Sequence, residues 1–211
     1  MATKVAPRSP ERAWLLRALL VLQSPRAVFA AIRDDSDEAA HARQEPITAI
    51  VWLAGMAAVL AAPAMNDVLD DPARDGLIVA IIVFFAGGLY GLTVYWVLGG
   101  ILHLSARAFG SLGTYRRARH LAAFAAAPLA LALFLYWPFR IAIAGGDLFR
   151  AGGSDGGHVF ADAYYLFVVW FVVLLAIGVR TVHGWSWPRT LATVAIGTVA
   201  GALLVLVGSL L

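Results

Sequence analysis

Long apolar runs separated by short polar turns organise this chain. Five runs are long enough to predict helices that cross a bilayer, which takes about 20 residues. They are Ile47–Met65, Leu77–Leu104, Leu121–Ala144, Ala163–Val182 and Arg189–Leu211. The second is expected to continue as a helix to Phe109. The third contains Pro128 and the Trp137–Pro138 pair, so a kink or an early stop is expected near Pro138. Two shorter segments come first. Ser9–Pro10 and Ser24–Pro25 each read as an N-cap serine with proline at the first helical position. The segment from Pro25 puts Val28, Phe29 and Ile32 on one face at helical spacing. Both are too short to span, and they predict amphipathic helices at the membrane surface or packed under the bundle. Residues 34–45 are polar and predict a solvated linker. Residues 66–76 predict an acidic turn, and Gly145–Gly157 a glycine-rich loop.

Composition supports that pattern. The chain has 211 residues, of which 61% are hydrophobic and 14% charged, with a mean hydropathy of +0.80. Soluble domains are roughly half apolar and a quarter charged. The fold class expected is all-α, a polytopic bundle of five transmembrane helices preceded by short amphipathic helices. Residues 1–46 form a cytosolic segment and 47–211 the transmembrane domain. A signal peptide is the weaker reading of the start, because Arg17 interrupts its core and Pro25 opens a helix before any cleavage site.

Charge then sets sidedness. The net charge is +3, but the cations sit at the ends of apolar runs, which argues for topology signals and against nucleic acid. With the N-terminus inside, only Arg74, Arg140 and Arg150 of the 16 cations fall outside. The expectation is N-terminus in, C-terminus out, in a bacterial plasma membrane.

Chemistry is sparse. Zero cysteines exclude disulfides and thiolate chemistry. No zinc, serine-nucleophile or phosphate-loop motif is present, and Gly145-Gly146-Asp147 falls in a loop. No catalytic residue, cofactor or metal is expected. The span cores lack ionisable groups, which counts against ion-coupled transport. Tyr90, Thr93 and Tyr95 suit interhelical hydrogen bonds; lining a hydrated cavity, they would instead favour a permease or exporter component for a small or lipidic substrate. His103, His120 and His183 share the inner rim, on helices that need not converge. The pairs Gly87/Gly91 and Gly197/Gly201, with Ala122, Ala126 and Ala130, predict close helix packing within the chain, ahead of a homo-oligomer contact.

The centre of the pattern is 110–131. Gly110 and Gly113 permit a tight re-entry, and the cluster Arg116-Arg117-Ala118-Arg119-His120 anchors the loop inside. With Arg107 it forms a candidate site for anionic headgroups or a membrane-protein partner.

Ser24-Pro25-Arg-Ala-Val-Phe29-Ala-Ala-Ile32, five spans, and Gly110-x-x-Gly113-Thr-Tyr115-Arg116 leading into a span with Pro128 together resemble the Yip family of integral membrane proteins, the Ypt/Rab-interacting proteins and their prokaryotic relatives. The resemblance runs from about residue 20 to the end. It implies five helices, a cytosolic N-terminus, no known catalysis, and roles in vesicle trafficking, Rab binding and membrane shaping. It also implies structural roles for Pro25, Phe29, Gly110, Gly113, Tyr115 and Pro128. The chain lacks the long cytosolic N-terminal region where partner binding is expected, so it looks like a prokaryotic member.

Overall fold

The computed structural model describes residues 20–62, 65, 76–145 and 158–208. The segment expected from Pro10 lies almost wholly outside them. So do most of the acidic turn, most of the glycine-rich loop and residues 209–211. The described residues are helical and contain no strand. In chain order the helices are α1 (Pro25–Ala31), α2 (Asp37–Ala42), α3 (Gln44–Leu60), α4 (Gly76–Ala108), α5 (Tyr115–Ala125), α6 (Ala127–Ala144), α7 (His158–His183) and α8 (Trp187–Gly208).

Three stretches among the described residues are long and apolar enough to cross a membrane: Gly76–Ala108, Tyr115–Ile143 and Asp162–His183. The middle one is the most buried and forms the centre of the bundle. Around it, α3 packs against α4 and α6, α7 against α5 and α6, and α8 against α4 and α7. Large apolar side chains remain exposed outside, among them Leu77, Phe85, Leu89, Phe139, Leu166 and Val199. An apolar surface this extensive needs lipid to solvate it.

Local chemistry explains the joints. The helix begun at Tyr115 breaks at Ala126, because Pro128 has no N–H to give the Phe124 carbonyl. Ala126 N instead reaches Ala122 and Ala123 at 3.1 Å. Pro128 is therefore visible as a break. The early stop considered at Pro138 does not occur, since α6 runs on to Ala144. At the end of α4, Gly110 takes φ +79°, Ser111 N bonds Ala106 O at 3.0 Å, and Gly110 N bonds Arg107 O at 2.8 Å. That is a Schellman cap, and it needs a residue without a Cβ penalty.

The first apolar helix differs from expectation. It begins at Gln44, before Pro46, and ends at Leu60, before Met65. Its 17 residues reach about 26 Å at about 1.5 Å each, less than the roughly 30 Å hydrocarbon core. Burial between α4 and α6 shields it from lipid, so its length need not match the bilayer.

That burial rests on glycine. A Cβ on Gly55 would lie 2.0 Å from Gly87 O, and one on Gly91 would lie 2.2 Å from Val51 O. The Gly87/Gly91 pair thus serves packing inside the chain, with Gly55 as its unforeseen partner. Gly197 and Gly201 meet Leu102 and Leu98 of α4 at ordinary contact.

Candidate functional site

Two findings lead to the site. First, of the two placements expected for the segment from Pro25, α1 takes the one packed against the bundle. Phe29 and Ile32 are fully buried, and the Phe29 ring lies against Gly178 of α7. Pro25 does occupy the start of α1, but the Ser24 side chain makes no capping bond. The Ser24 carbonyl accepts from Ala27 and Val28 instead. Second, residues 34–45 are largely exposed, as expected, but they are folded rather than a plain linker. Ser36 caps α2 by accepting from Ala39 N at 3.3 Å, with Asp37 and Glu38 in its first turn. The segment from Ile32 to Arg43 folds back as a strap across the start of α5.

The strap is held by arginines. Arg43 is only 8% exposed and donates to Ala31 O and Asp34 O, each at 2.7 Å. Burial pulls its pKa below the ordinary arginine value, and Asp35 and Asp34 partly offset that. Arg116 Nε meets Asp35 Oδ1 at 3.1 Å, and its Nη1 meets Asp37 Oδ1 at 2.6 Å. Asp35 also accepts a bond from Thr114 Oγ1, and the same Thr114 oxygen caps α5 by accepting from Arg117 N. Burial pushes the Asp35 carboxyl up, but the bonds from Thr114 and Arg116 and the charges of Arg116 and Arg117 outweigh it. The net shift is downward.

The pair with Asp35 matters more than the pair with Asp37. Asp35's side chain is 11% exposed and Asp37's is 96% exposed. Exposed pairs contribute about 0–1 kcal/mol.

Arg117 Nη2 donates to Arg33 O at 2.9 Å, and Arg33 donates to Thr181 O at the end of α7. Arg189 donates to Phe109 O and stacks on Trp185. Five arginines, from the strap, α5 and α8, therefore meet at one end of the bundle. Arg119 is enclosed by rings, 3.6 Å from the Trp96 centroid, 4.8 Å from Tyr115 and 5.3 Å from Tyr95. Gly99 makes that approach possible, since a Cβ there would sit 2.2 Å from Arg119 Cγ. Tyr115 fixes the geometry by donating to Trp96 O at 2.6 Å.

Of the expected site residues, Arg116, Arg117, Arg119 and His120 share α5, and Arg107 stands exposed in the last turn of α4. His120 is buried at 2% exposure. It lines a cleft of about 670 Å³ together with Arg116, Arg119, Trp96, Asp37 and Glu38. His103 and His183 line a different, much smaller pocket beside Arg117. Ser111 Oγ accepts from Gly113 N at 3.0 Å and lies 3.5 Å from His183 Nδ1, to which its hydroxyl can donate at the same time. That pair locks the loop. Among the described residues no cluster of three or more His, Asp or Glu side chains could hold a metal.

Tyr90, Thr93 and Tyr95 do not share a cavity. Thr93 is exposed and donates to Leu89 O of its own helix at 2.8 Å, Tyr90 is 39% exposed, and Tyr95 is buried.

Sequence reasoning missed Asp35, Asp37, Arg43 and Trp96. The Ser36-Asp37-Glu38 start of α2 was legible as a cap signature. The pairing across about 80 residues was not.

Neither the curated proteins nor the solved structures contained a match. The family model of the Yip1 domain matches residues 19–210. With nearly the whole chain matched and three helices of membrane-crossing length, the chain belongs to the Yip family of integral, multi-pass membrane proteins.

Proposed function

We propose that this chain is a non-catalytic, five-span Yip protein of the prokaryotic type. It organises membrane or partner proteins through its basic end, which faces the cytoplasm across a bacterial plasma membrane. Residues 1–46 act as the cytosolic segment and 47–211 as the membrane domain. The fourth and fifth crossings are α3 and α8.

The observation that carries this reading is the convergence of Arg33, Arg43, Arg116, Arg117 and Arg189 at one end. Positive residues retained on one side mark the cytoplasmic face. A basic face next to an anionic leaflet gains about 1 kcal/mol per cation. Arg107 and Arg117 lie at its surface and, with Arg116 and Arg119, are the contacts assigned to anionic headgroups. His120 is assigned to the deeper wall.

The test uses the purified full chain in mild detergent, titrated with phosphatidylglycerol. The double variant Arg107→Gln and Arg117→Gln removes two surface cations. At about 1 kcal/mol each, phosphatidylglycerol retention should fall about thirty-fold. Unchanged retention would sink the lipid-facing role of this end.

A further inference from the structure

The cleft between α2, α4 and α5 carries charges of both signs. Asp37 and Glu38 line it from the strap, and Arg116 and Arg119 from α5. Its volume of about 670 Å³ lies within the range of small-molecule sites. Also lining it is His120, which is 2% exposed and whose Nδ1 has no hydrogen-bond partner. That nitrogen is shut off from the cleft, so the ring forms its deep wall. Trp96 adds an apolar edge and is 50% exposed.

Depth decides the kind of ligand. Polar side chains line the cleft, namely Asp37, Glu38, His41, Gln44, Arg116 and Arg119, while the exposed face of α4 beside it is apolar. That polar–apolar boundary suits the headgroup level of a bilayer. Leu89 and Val97 stay exposed on the helix beside it.

We propose that this cleft binds the headgroup of one phospholipid carrying both a phosphate and a primary ammonium, of the phosphatidylethanolamine type. The inference rests on the basic end lying at the headgroup level, as in the function proposed above. Arg116 and Arg119 bond the phosphate through charge-assisted N–H donors. The ammonium donates to Asp37 and Glu38, replacing the charge that Arg116 now shares with Asp37. The His120 ring backs the phosphate position, and the acyl chains lie along α4. A purely anionic headgroup would place like charge against Asp37 and Glu38. A quaternary ammonium needs open aromatic faces, and Arg119 already lies over Trp96, Tyr115 and Tyr95.

The test exchanges the purified full chain into equal moles of phosphatidylethanolamine, phosphatidylcholine and phosphatidylglycerol and counts retained lipid by native mass spectrometry. The wild type should retain one phosphatidylethanolamine about tenfold over phosphatidylcholine. Asp37→Asn with Glu38→Gln, both exposed and so tolerated by the fold, should abolish that preference while phosphatidylglycerol retention does not fall. Trp96→Leu should weaken the same lipid independently. Equal retention of the ethanolamine and choline lipids by the wild type would overturn the proposal, and so would a preference that survives the carboxylate changes. Competition by soluble glycerophosphoethanolamine at the lipid's own potency would show a free phosphodiester as ligand and overturn the lipid assignment. Loss of phosphatidylglycerol retention on removing Arg107 and Arg117 tests the basic face separately, so the two readings fail by different results.

Discussion

Arg43 shows how much of this protein's organisation depends on single buried polar contacts. Its two donors serve the Ala31 and Asp34 carbonyls, which have few alternatives once the strap is closed. Arg43→Met should orphan both acceptors, at about 1–3 kcal/mol each, and Arg43→Lys should not restore both, because its single nitrogen must serve two carbonyls that Arg43 meets from separate nitrogens. Hydrogen exchange of residues 32–43 is the readout, and both variants should exchange faster there than the wild type. Gly55 is the apolar counterpart. Gly55→Ala would place a methyl 2.0 Å from Gly87 O, so α3 and α4 must separate. Overpacking of this kind costs about 1–3 kcal/mol. Thermal unfolding in detergent should show a lower midpoint for Gly55→Ala, and a smaller effect for Gly197→Ala, whose nearest neighbour is at 3.8 Å.

The strap is the element that responds to pH. In the folded protein, against the upward push of burial, the bonds from Thr114 and Arg116 hold the Asp35 carboxyl below its ordinary pKa. Its ionised form therefore stabilises the closed strap fully above the unfolded pKa, and that contribution is lost as pH falls through the folded value. Protection factors of the strap amides, which are exchange rates taken relative to the intrinsic rate at each pH, should be flat from neutrality down to about pH 4 and fall below it. Asp35→Asn should show low protection at neutral pH and little further loss in acid. The cap belongs to the same element. Ser36→Ala removes the acceptor for Ala39 N and should cost about 0.5–2 kcal/mol, read as faster exchange within α2 alone.

At this scale the sequence was an uneven guide. The long helices were legible because hydropathy over 20 or more residues leaves few alternatives, and α4 does continue past Leu104 to Ala108. The Pro128 break was legible because the missing N–H acts locally. The strap was not, because its stability comes from Arg116 meeting Asp35 and Asp37 about 80 positions away. A run of charges in sequence looks the same whether water or a partner satisfies it. The aromatic enclosure of Arg119 was hidden for the same reason, since Gly99 and Trp96 gain meaning only when α5 packs on α4.

The described residues form a bundle with an apolar belt and a basic end, and the proposed function requires that end to face the cytoplasm. The absence of cysteine makes this directly measurable. Leu112 is fully exposed in the loop between α4 and α5, and Ser154 belongs to the glycine-rich segment, which the proposed topology assigns to the opposite side. Leu112→Cys should react with a membrane-impermeant maleimide in inside-out vesicles and not in intact spheroplasts, while Ser154→Cys should do the reverse. Labelling of Leu112→Cys from outside, or of both positions from the same side, would contradict a basic end that faces the cytoplasm.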